Sequence, residues 1–302
     1  MRGGAGRPNE AQRRRRSTSR KVCDIRFIVA MFTEHIRTQG VRCLRRVHGR
    51  QSLILSALAV LTLGGGGWSR AFGQAVCGIT SSTPLRVQNA TDARAVGVAV
   101  NCTNGGTVEA VWAGAVMLDS PISVGSGTFL YITGQDEQAE VRGGFQTRMF
   151  EVSPYGGLSL TQLKLSGGNS ENAGAIYSRT ANVTLESCVF EGNVAEDGDG
   201  GAVLAEGGTL TIVGGQFSSN NATENGGAVS VLDGGFLVIR GGTRFGENYA
   251  ESRGGALYGG INATMTIDGC TIENNVTPGS GGGIAASSAT LGGSTLLTEN
   301  YA

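Results

Sequence analysis

Phe190-Glu191-Gly192-Asn193, Phe217-Ser218-Ser219-Asn220, Phe245-Gly246-Glu247-Asn248, Ile272-Glu273-Asn274-Asn275 and Leu297-Thr298-Glu299-Asn300 follow one pattern, with the Asn residues 27, 28, 27 and 25 apart. Between them recurs a second motif: Gly200-Gly201-Ala202-Val203, Gly226-Gly227-Ala228-Val229, Gly254-Gly255-Ala256-Leu257 and Gly281-Gly282-Gly283-Ile284, with a weaker copy at Ala173-Gly174-Ala175-Ile176. A third precedes the aromatic position: Val183-Thr184-Leu185, Leu210-Thr211-Ile212 and Met265-Thr266-Ile267, with Leu237-Val238-Ile239 displaced by one residue, as a one-residue turn insertion would do. A period of this length kept in three phased motifs is the signature of a repeat architecture.

The short alternating runs read as strands, and the Gly pairs and Asn residues read as turns. A unit of ~27 residues with three short strands cannot bury its apolar face alone, so units must stack, each coil ~4.8 Å from the next. The reading is all-β: a right-handed parallel β-helix, a solenoid of ~27-residue coils, the hand following the rule for parallel crossovers. Positions 176, 203, 229, 257 and 284 are expected to form one inward column, and 190, 217, 245, 272 and 297 another. Asn193, Asn220, Asn248, Asn275 and Asn300 are expected to stack as an amide ladder.

These phased Phe-x-x-Asn and Gly-Gly-Ala-aliphatic motifs resemble the repeats of chlamydial polymorphic outer membrane proteins, within the wider pectin-lyase-like β-helix superfamily. The resemblance covers residues 161–302; residues 76–160 read as irregular first coils. It implies surface display and adhesion. The sequence departs from the family's pattern in reaching Tyr301-Ala302 mid-repeat without a C-terminal outer-membrane barrel; because a solenoid needs a polar cap at each end, the expectation is either a fragment of a longer chain or an open edge available for edge-to-edge self-association.

Residues 1–75 read as a separate basic leader, with 15 Arg and Lys against 3 Asp and Glu, a net +12. Its apolar run Leu53–Leu63 and the small residues ending at Ala75 have the order of a signal peptide. The 11-residue run is short of the ~20 needed to span a bilayer, so a membrane association would come only through an uncleaved leader. Residues 76–302 reverse the charge, 9 against 21, a net −12. That excludes a phosphate-binding surface and hence nucleic acid as partner. The expected location is secreted or cell-surface.

Cys77 and Cys102, 25 apart at the start of the acidic part, are expected to form a disulfide tying down the first coil. Cys188 and Cys270 are 82 apart, three coils or ~14 Å of stacking, beyond disulfide reach. Sequons occur at Asn89, Asn101, Asn182, Asn221, Asn262 and Asn275. The first five are expected to carry glycan in a secreted protein, whereas Asn275 falls on the ladder and is expected to be buried and unmodified.

No catalytic constellation emerges. Both histidines, His35 and His48, lie in the leader, and Lys164 is the only later lysine. The superfamily's polysaccharide hydrolases and lyases use Asp clusters with His or Arg. Here the one dense acidic run is Glu196-Asp197-Gly198-Asp199, read as a solvated turn rather than a Ca²⁺ site, and Arg240, Arg244 and Arg253 have no evident carboxylate partner. No cofactor and no metal are expected. The reading is a non-catalytic surface protein binding glycans or surface proteins, with Tyr177, Tyr249 and Tyr258 as stacking candidates. The alternative is a polysaccharide lyase or related carbohydrate-active enzyme.

Overall fold

The structure, a computed structural model, describes residues 84–103 and 105–302. The leader, its signal-peptide-like segment and Cys77 lie outside the described residues. Every strand pair among these residues is parallel, and each strand pairs with its counterpart one coil away. The chain therefore winds as a parallel β-solenoid of eight coils, counted by the eight-stranded sheet that runs from Ala115–Met117 to Leu296–Thr298.

Three sheets face the axis. The largest, of 14 strands, joins two strand columns that fuse in the 11-residue strands Ile176–Glu186 and Val203–Val213. A four-stranded sheet of two-residue strands, from Asn169–Ser170 to Tyr249–Ala250, closes the third side. The predicted columns stand in register: Ile176, Val203, Val229, Leu257 and Ile284 in one, Phe190, Phe217, Phe245, Ile272 and Leu297 in another. Phe190, Phe217 and Phe245 stack with centroids 4.5 and 4.8 Å apart, at the coil rise. Each buried ring contributes roughly 2–3 kcal/mol of transfer free energy. The one-residue displacement at Leu237 is also explained: Leu237 pairs with Leu210 and Ile239 with Ile212, so the extra residue lies in the Gly241-Gly242 turn before Arg244.

Residues 85–161 already form regular coils, with strands Thr107–Trp112, Phe129–Gly134 and Gly157–Thr161 in register. The irregular element is a helix, α1 (Ala90–Cys102), packed on the first strands. Sequence reading missed it because Val96, Val98 and Val100 alternate like a strand. The residues it buries, Ala93, Val96 and Val100, follow helical spacing instead. Asn89 caps it, its side chain accepting from the backbone N–H groups of Thr91 and Asp92.

Candidate functional site

The ladder comes first because it orders the corner that every coil shares. Asn193 Oδ1 accepts from the Gly168 backbone N–H, and from Asn220 on each Asn Oδ1 accepts from both the backbone N–H and the Nδ2 of the Asn one coil before it. The pairs are Asn193 on Asn220 (3.1 and 3.0 Å), Asn220 on Asn248 (3.0 and 2.9 Å), Asn248 on Asn275 (3.0 and 2.9 Å) and Asn275 on Asn300 (3.1 and 2.8 Å). The second Nδ2 hydrogen reaches a core-strand carbonyl: Leu165, Phe190, Phe217, Phe245 and Ile272 in turn. Asn193, Asn220, Asn248 and Asn275 are buried. Asn275, a sequon residue, thus spends its amide hydrogens inside the stack.

On the eight-stranded face, charges pair along the stacking direction. Glu140 is nearly buried and accepts from Arg142 Nε and Ser166 Oγ, both at 2.7 Å, with Lys164 at 3.7 Å. Lys164 also meets Glu191 at 2.5 Å. Despite the cost of burial, these partners hold the Glu140 carboxyl below the usual carboxylate range. Arg244 pairs with Glu273 of the next coil, so the expectation that it lacks a carboxylate partner is corrected: one coil of stacking brings together residues 29 apart. Arg240 and Arg253 are exposed.

Tyr177 is not an open stacking surface. Its hydroxyl donates to Glu206 (2.6 Å), and its ring lies under the guanidinium groups of Arg148 (4.8 Å) and Arg179 (5.6 Å). Burial and Glu206 push its phenol pKa up to about 12. Arg148 donates to the Ala173 carbonyl (3.0 Å) and Ser170 Oγ (3.1 Å). Tyr258 is half-buried and Tyr249 is partly exposed. The most open aromatic side chains among the described residues of the first coils are ones the sequence reading did not single out: Tyr155 and Phe145, then Tyr131 and Phe129. Alternation alone could not find them, because Phe129-Leu130-Tyr131-Ile132 is apolar throughout.

The acidic turn does not converge on a point. Glu196 accepts from Asn169 Nδ2 (2.6 Å), while Asp199 Oδ1 accepts from the backbone N–H (2.9 Å) and Nδ2 (2.8 Å) of Asn225. Asp199 N–H in turn donates to Asn172 Oδ1 (3.3 Å). Among the described residues no three such groups cluster as a metal-holding set. Burial raises the Asp199 pKa, opposed by the Asn225 bonds and aided by the Glu224 and Glu206 charges. A raised folded pKa means the ionised form weighs against folding above the unfolded pKa of ~3.9, and the cost disappears in acid. Asp199→Asn removes the charge and keeps an oxygen to accept from Asn225. It is expected to raise stability at pH 7 and to leave it unchanged at pH 3, measured as urea midpoints at the two values. Equal gains at both would refute the charge argument.

Of the proposed glycan acceptors, Asn89, Asn101, Asn182 and Asn262 are exposed and Asn221 is half-buried. Asn89 uses its Oδ1 for capping. Cys102 ends α1, while Cys77 lies outside the described residues. Cys188 and Cys270 are free, buried thiols separated by three coils, and burial pushes the Cys188 pKa up to about 11. No described helix is long and apolar enough to cross a membrane.

Neither the curated proteins nor the solved structures compared gave a match. Residues 187–206 match the Chlamydia polymorphic membrane protein repeat. The matched segment holds Phe190-Glu191-Gly192-Asn193 and Gly200-Gly201-Ala202-Val203 together, the ladder corner and the glycine corner of one coil. The chain is a parallel β-solenoid repeat protein, one coil of which is similar to that membrane protein repeat.

Proposed function

We propose that this is a secreted or cell-surface rod that works by adhesion, binding glycans or surface proteins on its outer faces without turnover. The observation that supports this most directly is the repetition of those faces. Parallel strands in unbroken register present outward side chains in straight rows, with the charges on the eight-stranded face engaged with one another. The resemblance to a membrane protein repeat, the signal-like order of the leader, the sequons at Asn89, Asn101, Asn182, Asn221 and Asn262, and a Cys77–Cys102 disulfide belong to the same reading.

The alternative, a polysaccharide lyase or related enzyme, draws on the Arg148–Tyr177–Arg179 stack, a cationic feature on an outer face with Glu151 3.9 Å from Arg179. One experiment separates the two: the purified chain is applied to a glycan array and to cultured cells, and incubated with polyuronates. Binding without product is the expected result. A rise in ultraviolet absorbance from unsaturated product overturns the adhesion reading.

A further inference from the structure

We infer that the outer face of the strand Phe129–Gly134, with the turn at Tyr155 and the groove at the strand's far end, is a binding track for a neutral oligosaccharide chain. This rests on the glycan-binding form of the proposed function and assigns it a place and a ligand class.

Along this strand Leu130 and Ile132 point into the core, and Phe129, Tyr131 and Thr133 point out, followed by exposed Gln135. Phe129 and Tyr131 are 39% and 44% exposed, an unusual allowance for two aromatic side chains on one strand face. The Phe129 ring lies down over Gly157 of the next coil: a Cβ there would stand 2.3 Å from its Cδ1. A reclining ring turns a face to solvent, the geometry on which the apolar side of a sugar ring packs.

Tyr155 adds an independent sign. It is 75% exposed and sits in a turn column shared with Gly127 (φ +70°), Thr180 (φ +44°) and, one coil further, Gly207 (φ +71°). The left-handed backbone belongs to the column; what is particular to Tyr155 is an aromatic ring left open two residues before Gly157, over which Phe129 lies.

At the other end, Gly134 opens into a groove of about 500 Å³, lined by the polar Gln135, Gln162 and Ser187 and the charged Asp136, Glu137 and Lys164. Amides and a hydroxyl suit sugar hydroxyls, as do Ser159 and Thr161, which flank the strand one coil on. Lys164 is already neutralised by Glu140 and Glu191. With a net −12 over residues 76–302, the surface disfavours uronates and other anionic chains, so the ligand is an uncharged polysaccharide. The strand covers ~17 Å, enough for several sugar units in line.

The test is calorimetric titration of the full chain with neutral β-linked oligosaccharides of glucose, xylose and N-acetylglucosamine. Tyr131→Ala and Tyr155→Ala should each weaken binding at least about tenfold. Tyr131→Phe should retain it, because stacking uses the ring. Phe236→Ala, four coils along the same column, should leave it unchanged. Circular dichroism of each variant excludes misfolding. If an oligosaccharide binds but the alanine variants bind equally well, the track is wrong and glycan adhesion stands. If none binds while the protein adheres to cells, the sugar assignment fails and the surface reading stands with a protein ligand. If neither occurs, both fail.

Discussion

Asn220→Ala is expected to lower stability by about 3–5 kcal/mol, a fall in Tm on the order of 10 °C or more. The side chain sits at the middle of the ladder and forms no fewer than four bonds. Its Oδ1 accepts the Asn193 backbone N–H and Nδ2, and its Nδ2 donates to the Phe190 carbonyl and to Asn248 Oδ1. Removing it strands a buried donor on the coil before and a buried carbonyl in the aromatic column, each costing ~1–3 kcal/mol with no water able to enter. Asn220→Asp sharpens the point, because it keeps size and acceptor and loses only the donor. An ionised carboxylate there would face the Phe190 carbonyl and Asn248 Oδ1, so its folded pKa must lie above the unfolded ~3.9. The destabilisation relative to the natural chain should therefore be small near pH 3, grow as pH rises through that window, and reach its full size at neutral pH. Thermal unfolding of both variants from pH 3 to 8 tests this. A pH-independent deficit in the Asp variant would show that the amide donor is not what the corner requires.

Gly227→Ala is expected to cost at least about 4 kcal/mol, or to prevent folding, although it adds one methyl group. Gly227 has no left-handed φ, so conformational freedom is not the reason. A Cβ there would lie 2.2 Å from the Gly255 carbonyl oxygen and 2.4 Å from that of Tyr249, both backbone atoms of the next coil. Gly201 and Gly255 meet the same obstruction, at 2.2 and 2.1 Å. Relief requires the coils to part, and the register on both sides forbids it. Gly192 is the control. It is left-handed (φ +61°), a Cβ on it would meet nothing within 4 Å, and the equivalent place in the next two coils holds Ser219 (φ +54°) and Glu247 (φ +58°). Gly192→Ala should therefore cost only ~1–2 kcal/mol, the price of a Cβ in that conformation. Circular dichroism melts of the pair decide it. Equal losses would mean that both glycines serve the turn, not the packing.

The aromatic column and the ladder were legible because a stack of parallel coils confronts each residue with its own counterpart. Whatever suits that contact must recur at the coil period, as Phe190, Phe217 and Phe245 do. The glycine pair was legible as a repeat, but its two members were not distinguishable; the first combines a left-handed φ with a carbonyl of its own coil close by, and the second answers to a carbonyl on another coil. The helix α1 escaped because thirteen residues rich in Ala and Val carry strand alternation and helical spacing at once. The Arg244–Glu273 pair was hidden for a related reason: it joins two coils at a spacing set by turn lengths, which vary from copy to copy.

The repeating core was thus written in the sequence, down to which side chains touch which, because translation along the axis makes contact partners periodic. The outer surface was decided only by the tertiary structure. Whether Tyr131 or Ile132 faces water, or where Tyr155 and the groove at Gly134 meet the strand between them, depends on registers and corner geometry that recur in no motif. Solvent-facing positions contact no counterpart strongly enough to impose a period, so the features proposed to bind ligand are the ones the repeat does not encode.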